Sequence, residues 1–404
     1  MPSSTSNFEG VADRPARNAP PPGLRLTASD RPGVAQPVPE RDIPPQPWRA
    51  ISLAVLVITA ALTGGWEWRM RSLGLRAGDF NDGPSFWAEQ RRRIDSEQAP
   101  VAIVGDSRIL FDTNLDRFQA LTGVRPVQLA LQGTNGLPFL EDLAADPKFK
   151  GLVIVGMAET SYFRKGVGLM KAALDRGHFE SPAQRGSFLI KRELERHLAF
   201  IDHDYHLSTM IARLDPGLRP GAEDNPRDDV WKISETFDDR QTAIWPRLEQ
   251  DPYIRVQARQ AWHGFRGPVI TPALIASTQA RTRAAVNKIR ARGGEVVFVR
   301  PPSAAALRVN EDHRLPRRIG WDALLTVVHA KGVHADDLPM AQGLTLPEFS
   351  HLNATCAVVF TDAYLRRLTQ LTPRLRLRPD APQPLTTADC APGSKQVRGA
   401  GPRG

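Results

Sequence analysis

The chain has 404 residues and a net charge of +9, from 53 Lys and Arg against 44 Asp and Glu. The charge is carried mostly by Arg, and no tight basic run interleaved with aromatics occurs, which argues against nucleic acid as a partner. The two cysteines, Cys356 and Cys390, lie in no Cys-x-x-Cys pair, which argues against a zinc or thioredoxin-type site and leaves open whether they pair with each other. The 41% hydrophobic share suits a globular core, and the length suits one large or two ordinary domains between tails.

Residues 1–47 are rich in Pro, Ser, Gly and Arg without an apolar period, and read as a disordered tail. The uncharged run Ala50–Trp66 follows, about 17 residues long, the short end for a membrane span. Trp48, Trp66 and Trp68 flank it at interfacial positions, and Arg49, Arg69 and Arg71 bracket it. The expected transmembrane helix covers 48–70. Arginines stand on both sides, so charge alone does not choose its orientation.

Beyond the span, strands and helices alternate. A helix is expected at Phe86–Ile94, a strand at Val101–Val104, a helix at Asn114–Leu121 and a strand at Val127–Leu131. A helix at Leu137–Ala145 and an apolar strand at Gly151–Val155 come next. From 159 to 268 the alternation breaks into helical pieces and Pro-, Asp- and Gly-rich loops, which reads as a largely helical insertion. His197, His203, Asp204 and His206 fall there at spacings that match no metal motif, so no metal is expected. The alternation resumes with a helix at Pro272–Arg292, a strand at Glu295–Val299, a helix at Trp321–Ala330, a short strand at Gly332–His334 and a last helix at Ala354–Leu371. Residues 373–404 read as a second disordered tail. Strands alternating with helices predict an α/β fold with a parallel sheet.

Three loops carry the candidate chemistry. Gly105-Asp106-Ser107 ends the first strand, Gly133-Thr134-Asn135 follows the second, and Glu348-Phe349-Ser350-His351 precedes the last helix. A serine at the carboxyl end of a parallel strand sits where open α/β sheets place their chemistry. A nucleophilic Ser107 there would need a base and an oxyanion pocket to assist its weak hydroxyl. The other reading of the first loop is an ordinary helix cap by Asp106 or Ser107.

The three loops, in this order, resemble the SGNH (GDSL-type) hydrolase superfamily over roughly residues 98–157 and 270–371. The resemblance implies a three-layer, flavodoxin-like parallel sheet over 85–372, a Ser107–His351–Glu348 triad, and an oxyanion pocket from the backbone of Ser107 and Gly133. It involves no cofactor. Two positions depart from the family pattern: Glu348 stands where Asp is usual, and strand three ends in Gly156-Met157-Ala158-Glu159, without the usual oxyanion Asn. Asn135 is the candidate replacement donor. An anchor before such a domain is similar to bacterial cell-envelope members that move or remove acyl groups on glycans. The resemblance therefore implies an inner-membrane protein with a periplasmic C-terminal domain, an acylated glycan or other acyl ester as substrate, and a membrane acyltransferase as possible partner. A catalytically silent scaffold of the same fold is the alternative.

Overall fold

The computed structural model describes residues 45–165, 168–212, 214, 232–263 and 269–390. The chain forms two compact units, Met1–Gly64 and Gly65–Gly404. The expected N-terminal tail up to residue 44 lies outside the described residues.

The uncharged run forms one helix, Trp48–Ser72, long and apolar enough to cross a membrane. Ile51, Leu53, Val55, Leu56, Val57, Ile58 and Leu62 are exposed along it, as lipid-facing side chains would be. Its last turns belong to the second unit. There Met70 is buried in a small cluster with Leu75, Ala199, Tyr205 and Trp245, and the Glu67 carboxylate accepts from the N–H groups of Ala199 and Phe200, both at 3.0 Å.

Seven strands occur among the described residues: β1 Val101–Val104, β2 Val127–Gln128, β3 Leu152–Gly156, β4 Ser234–Thr236, β5 Thr242–Ile244, β6 Glu295–Arg300 and β7 Lys331–His334. Five form a parallel sheet in the order β2-β1-β3-β6-β7, and β4 and β5 pair as an antiparallel hairpin. The central strands are apolar throughout because both faces are covered. Ala102 and Val104, Val153 and Val155, and Val296 and Phe298 point into one core, with Phe139, Leu143, Val286, Ile289 and Leu324 from helices. Val101 and Ile103, Leu152 and Ile154, and Val297 and Val299 point into the other, with Leu110, Phe118, Phe360, Tyr364 and Leu368. The result is helix on sheet on helix.

Several helix ends follow from local chemistry. Asn114 caps Leu115–Thr122 by accepting from the Arg117 N–H at 2.7 Å, and Gly123, at φ 76°, ends it. Asn353 caps the last helix, Ala354–Leu371, by accepting from the Cys356 N–H at 2.8 Å. The helix expected at Trp321–Ala330 is instead a π-turn, Arg318–Asp322, running into Ala323–Val328.

Two expectations need correction. The second strand was read as Val127–Leu131, but its ladder ends at Gln128. The N–H groups of Leu129 and Leu131 still bond Ile103 and Gly105 of the β1 side. On the other side the carbonyls of Gln128 and Ala130 accept from Arg240, at 2.9 and 2.6 Å. Arg240 comes from the β4–β5 hairpin, is fully buried, and closes a two-pronged pair with Asp82 at 2.6 and 2.9 Å. A side chain thus takes the place of a further strand.

The second correction concerns the C-terminal segment. Residues 373–390, read as disordered, are held against the domain, while 391–404 lie outside the described residues. Leu375 is buried, the Arg378 N–H bonds the Leu121 carbonyl at 2.8 Å, and Arg117 donates to the Gln383 carbonyl at 2.7 Å. Cys390 is disulfide-bonded to Cys356 of the last helix. The Pro-rich composition supplies few N–H donors for secondary structure, and arginine side chains satisfy its carbonyls instead.

Candidate functional site

In the order β2-β1-β3-β6-β7 the chain leaves β1 in one direction for β2 and returns on the other side for β3. Ligands in open α/β sheets bind at this reversal, beyond the carboxyl ends of the strands. Ser107 follows β1 there. Asp106 is the cap of the short helix Ser107–Asp112, accepting from the Arg108 N–H at 3.1 Å, so the cap reading holds for Asp106 and leaves the Ser107 hydroxyl uncommitted.

Glycines let three backbones meet beneath this point. A Cβ on Gly136 would lie 2.9 Å from the Gly105 Cα, and one on Gly156 would lie 2.2 Å from the Ile109 Cβ. No side chain fits at either place. Gly133 is different: a Cβ there meets nothing within 4 Å, but its φ of 69° is one that L-residues rarely adopt.

The loop before the last helix is tied to itself. The Glu348 carboxylate accepts from the N–H groups of Ser350, at 3.2 Å, and His351, at 2.6 Å, and from His351 Nδ1 at 2.8 Å. The backbone reversal that allows this puts Phe349 at φ 76°, which only tight surroundings sustain in an aromatic residue. Trp262, reaching in from the insertion, donates its indole N–H to the second Glu348 oxygen at 2.6 Å. Burial raises the Glu348 carboxyl, but His351, Trp262 and the loop N–H together outweigh it and hold the group below the usual carboxylate range. Phe111 stacks on the His351 ring at 4.3 Å, and Asp112 accepts from the Leu352 N–H at 2.8 Å. Burial pushes the Asp112 carboxyl well above its ordinary range, against the pull of that N–H and of Arg108.

Ser107, Gly133 and His351 line one cavity of about 470 Å³, together with Thr134, Arg164 and Trp262. His351 Nε2 is buried without a hydrogen-bond partner. It and the Ser107 hydroxyl line the same cavity but are not bonded to each other. Asn135, expected as an oxyanion donor, is committed elsewhere: its amide donates to the Arg164 carbonyl at 3.2 Å and its oxygen accepts from the Leu137 N–H at 3.2 Å. Within the insertion, His206 bonds only its sequence neighbours among the described residues. His206 Nδ1 lies 3.0 Å from the Ser208 hydroxyl and accepts from the Thr209 N–H at 3.2 Å.

Beneath the cavity runs an ionic network that the sequence reading missed. Arg108 pairs with Glu311 and bonds the Ser350 hydroxyl at 3.3 Å. Glu311 also pairs with Arg300 at 2.9 Å, Arg300 with Glu159 at 3.2 Å, and Glu159 with His334 at 3.6 Å. All five ionisable residues are buried. The only sequence sign was a polar residue closing a strand, Arg300 after Val299 and His334 after Val333.

Glu159 gives this network a pH signature. Burial raises its carboxyl, but Arg300 and His334 outweigh that and hold it down at about 2. A carboxyl depressed in the folded state stabilises above its unfolded value and loses that contribution as pH falls. The difference corresponds to about 3 kcal/mol, lost between roughly pH 4.5 and 2. A Glu159→Gln protein is expected to be less stable than wild type at pH 7 and to converge with it near pH 2, as read by denaturant midpoints. A gap that stays constant with pH would contradict this account.

The chain matches no family model, and neither a curated protein nor a solved structure is significantly similar to it.

Proposed function

We propose that the chain is a membrane-anchored serine acyl-ester hydrolase or O-acyltransferase of SGNH type, acting on an acylated glycan through Ser107, His351 and Glu348. One observation carries the reading. His351 is held through Nδ1 by a buried carboxylate, while Nε2 is left without a partner in a cavity that Ser107 also lines. That is the division of labour a triad imidazole requires, and serine–base hydrogen bonds are often open before substrate binds.

The chemistry follows in two halves. Ser107 Oγ bonds to the ester carbonyl carbon as its proton passes to His351 Nε2. The N–H groups of Ser107 and Gly133, neither hydrogen-bonded among the described residues, stabilise the oxyanion. The tetrahedral adduct collapses, the C–O bond to the leaving alcohol breaks, and His351 returns the proton to that oxygen. Water or a sugar hydroxyl then attacks the acyl-serine, losing its proton to His351, and Ser107 regains one as it leaves. Glu348 stays ionised and stabilises the imidazolium. The Cys356–Cys390 disulfide and the span Trp48–Ser72 favour a domain facing an oxidising, extracytoplasmic side.

A Ser107→Ala protein is expected to stay folded, to lose release of p-nitrophenol from p-nitrophenyl acetate, and to lose labelling by a fluorophosphonate probe. Unchanged turnover would remove Ser107 from the mechanism. The commitment of Asn135 favours a second reading, a silent glycan-binding scaffold, because losing one oxyanion donor costs about 3–4 kcal/mol in the transition state. Wild-type protein that binds glycan yet resists the probe and releases no p-nitrophenol would favour it over catalysis.

A further inference from the structure

We propose that the Ser107 cavity is built for a substrate carrying negative charge, with Arg164 as the centre of an anion subsite and Arg108 and Arg314 beside it. The inference rests on the reading that this cavity is the functional site, and adds the substrate class. All three guanidinium-bearing residues line the cavity. Arg108 is 5% exposed, and its Nη1 is buried without a hydrogen-bond partner. Arg164 donates through Nη2 to the carbonyls of Gly133 and Thr134, at 2.6 and 2.7 Å, and its Nε is also buried without a partner. No carboxylate lies within ion-pair distance of Arg164 among the described residues.

Neither carboxylate in the cavity wall pairs with it: Glu311 is shared by Arg108, Arg300 and the Ser303 hydroxyl, and Asp106, which caps its helix, acts on it only from beyond ion-pair distance. Burial lowers the Arg164 guanidinium from its ordinary value, with Asp106 opposing, which fits a cation short of counter-charge. Arg108 Nη1 and Arg164 Nε are already withdrawn from solvent, so a neutral ester would leave them unsatisfied, whereas a carboxylate or phosphate seated against the guanidinium edges would supply the missing acceptor and counter-charge. The loop Arg164 grips, Gly133–Thr134, is also the expected oxyanion loop, so the bound charge would lie beside the reacting ester. Two sources share this chemistry: the carboxylate of an acidic sugar and a sugar phosphate.

Binding tests this without turnover. The full-length Ser107→Ala protein in detergent is titrated with trigalacturonate, with neutral maltotriose and with glucose 6-phosphate. The acidic trimer is expected to bind at least tenfold more tightly than the neutral one, with the preference falling as salt rises. Arg164→Gln should abolish the preference and Arg164→Lys should keep part of it, with thermal melts confirming that both variants fold. Tighter binding of glucose 6-phosphate than of the acidic trimer would assign the subsite to phosphate. Equal affinity for charged and neutral ligands, or a preference untouched in Arg164→Gln, would overturn the proposal. A charge preference in a protein whose wild type hydrolyses no ester would leave the subsite standing and remove only the catalytic reading.

Discussion

A Glu348→Gln protein is expected to keep its fold and to lose roughly 10³- to 10⁴-fold of its rate of acyl transfer. The side chain keeps its length, but its single oxygen can hold only one of the two carboxylate positions: the one that accepts from Ser350, His351 and the ring Nδ1, or the one that accepts from Trp262. What changes is the group facing His351 Nδ1. A carboxylate accepts there, which fixes the proton on Nδ1 and leaves Nε2 free to take one from Ser107. An amide N–H turned toward the ring would donate instead, place the ring proton on Nε2, and offer nothing to stabilise an imidazolium. Rates on p-nitrophenyl acetate, with thermal melts on the same samples, separate the two effects. A wild-type rate in a folded Glu348→Gln protein would show that the carboxylate only shapes the loop.

The largest effect on stability is expected at Arg240. Removing it in Arg240→Ala leaves the Asp82 carboxylate buried without its counter-ion and the carbonyls of Gln128 and Ala130 without donors. Breaking one partner of a buried pair costs about 3–5 kcal/mol, and the orphaned carbonyls add to that. Denaturant titration of the detergent-solubilised protein should show the loss. Pairing Arg240→Met with Asp82→Leu should recover a large part, because the uncompensated charge is then gone. A single variant within about 0.5 kcal/mol of wild type, the range of ordinary surface substitutions, would mean that water replaces the guanidinium.

These two sites differ in how far the sequence announced them. The strands β1, β3 and β6 were legible because a strand covered on both faces must be apolar at every position, and Val101–Val104 and Leu152–Val155 are. The last helix was legible to the residue because Asn353 caps it and its apolar positions recur at helical spacing. The Glu348–His351 contact followed from a spacing of three in one loop. Arg240 and Trp262 were not legible. Both lie far from their partners in sequence, and nothing local distinguishes them from solvated side chains. The stretch 373–390 was misread because proline-rich composition looks the same whether a segment is free or laid along a surface; what holds it is a disulfide and arginines from elsewhere in the domain.

The glycines under Ser107 carry one more implication. Gly105, Gly136 and Gly156 bring three backbones together beneath Ser107, so a side chain at any of them would force those backbones apart. Divergence in what the cavity accepts is open instead to its walls, among them segments around Thr160–Arg164, Trp262 and Leu307–Arg314. A lineage that changed what this cavity holds would rewrite those walls and leave the three glycines as they stand.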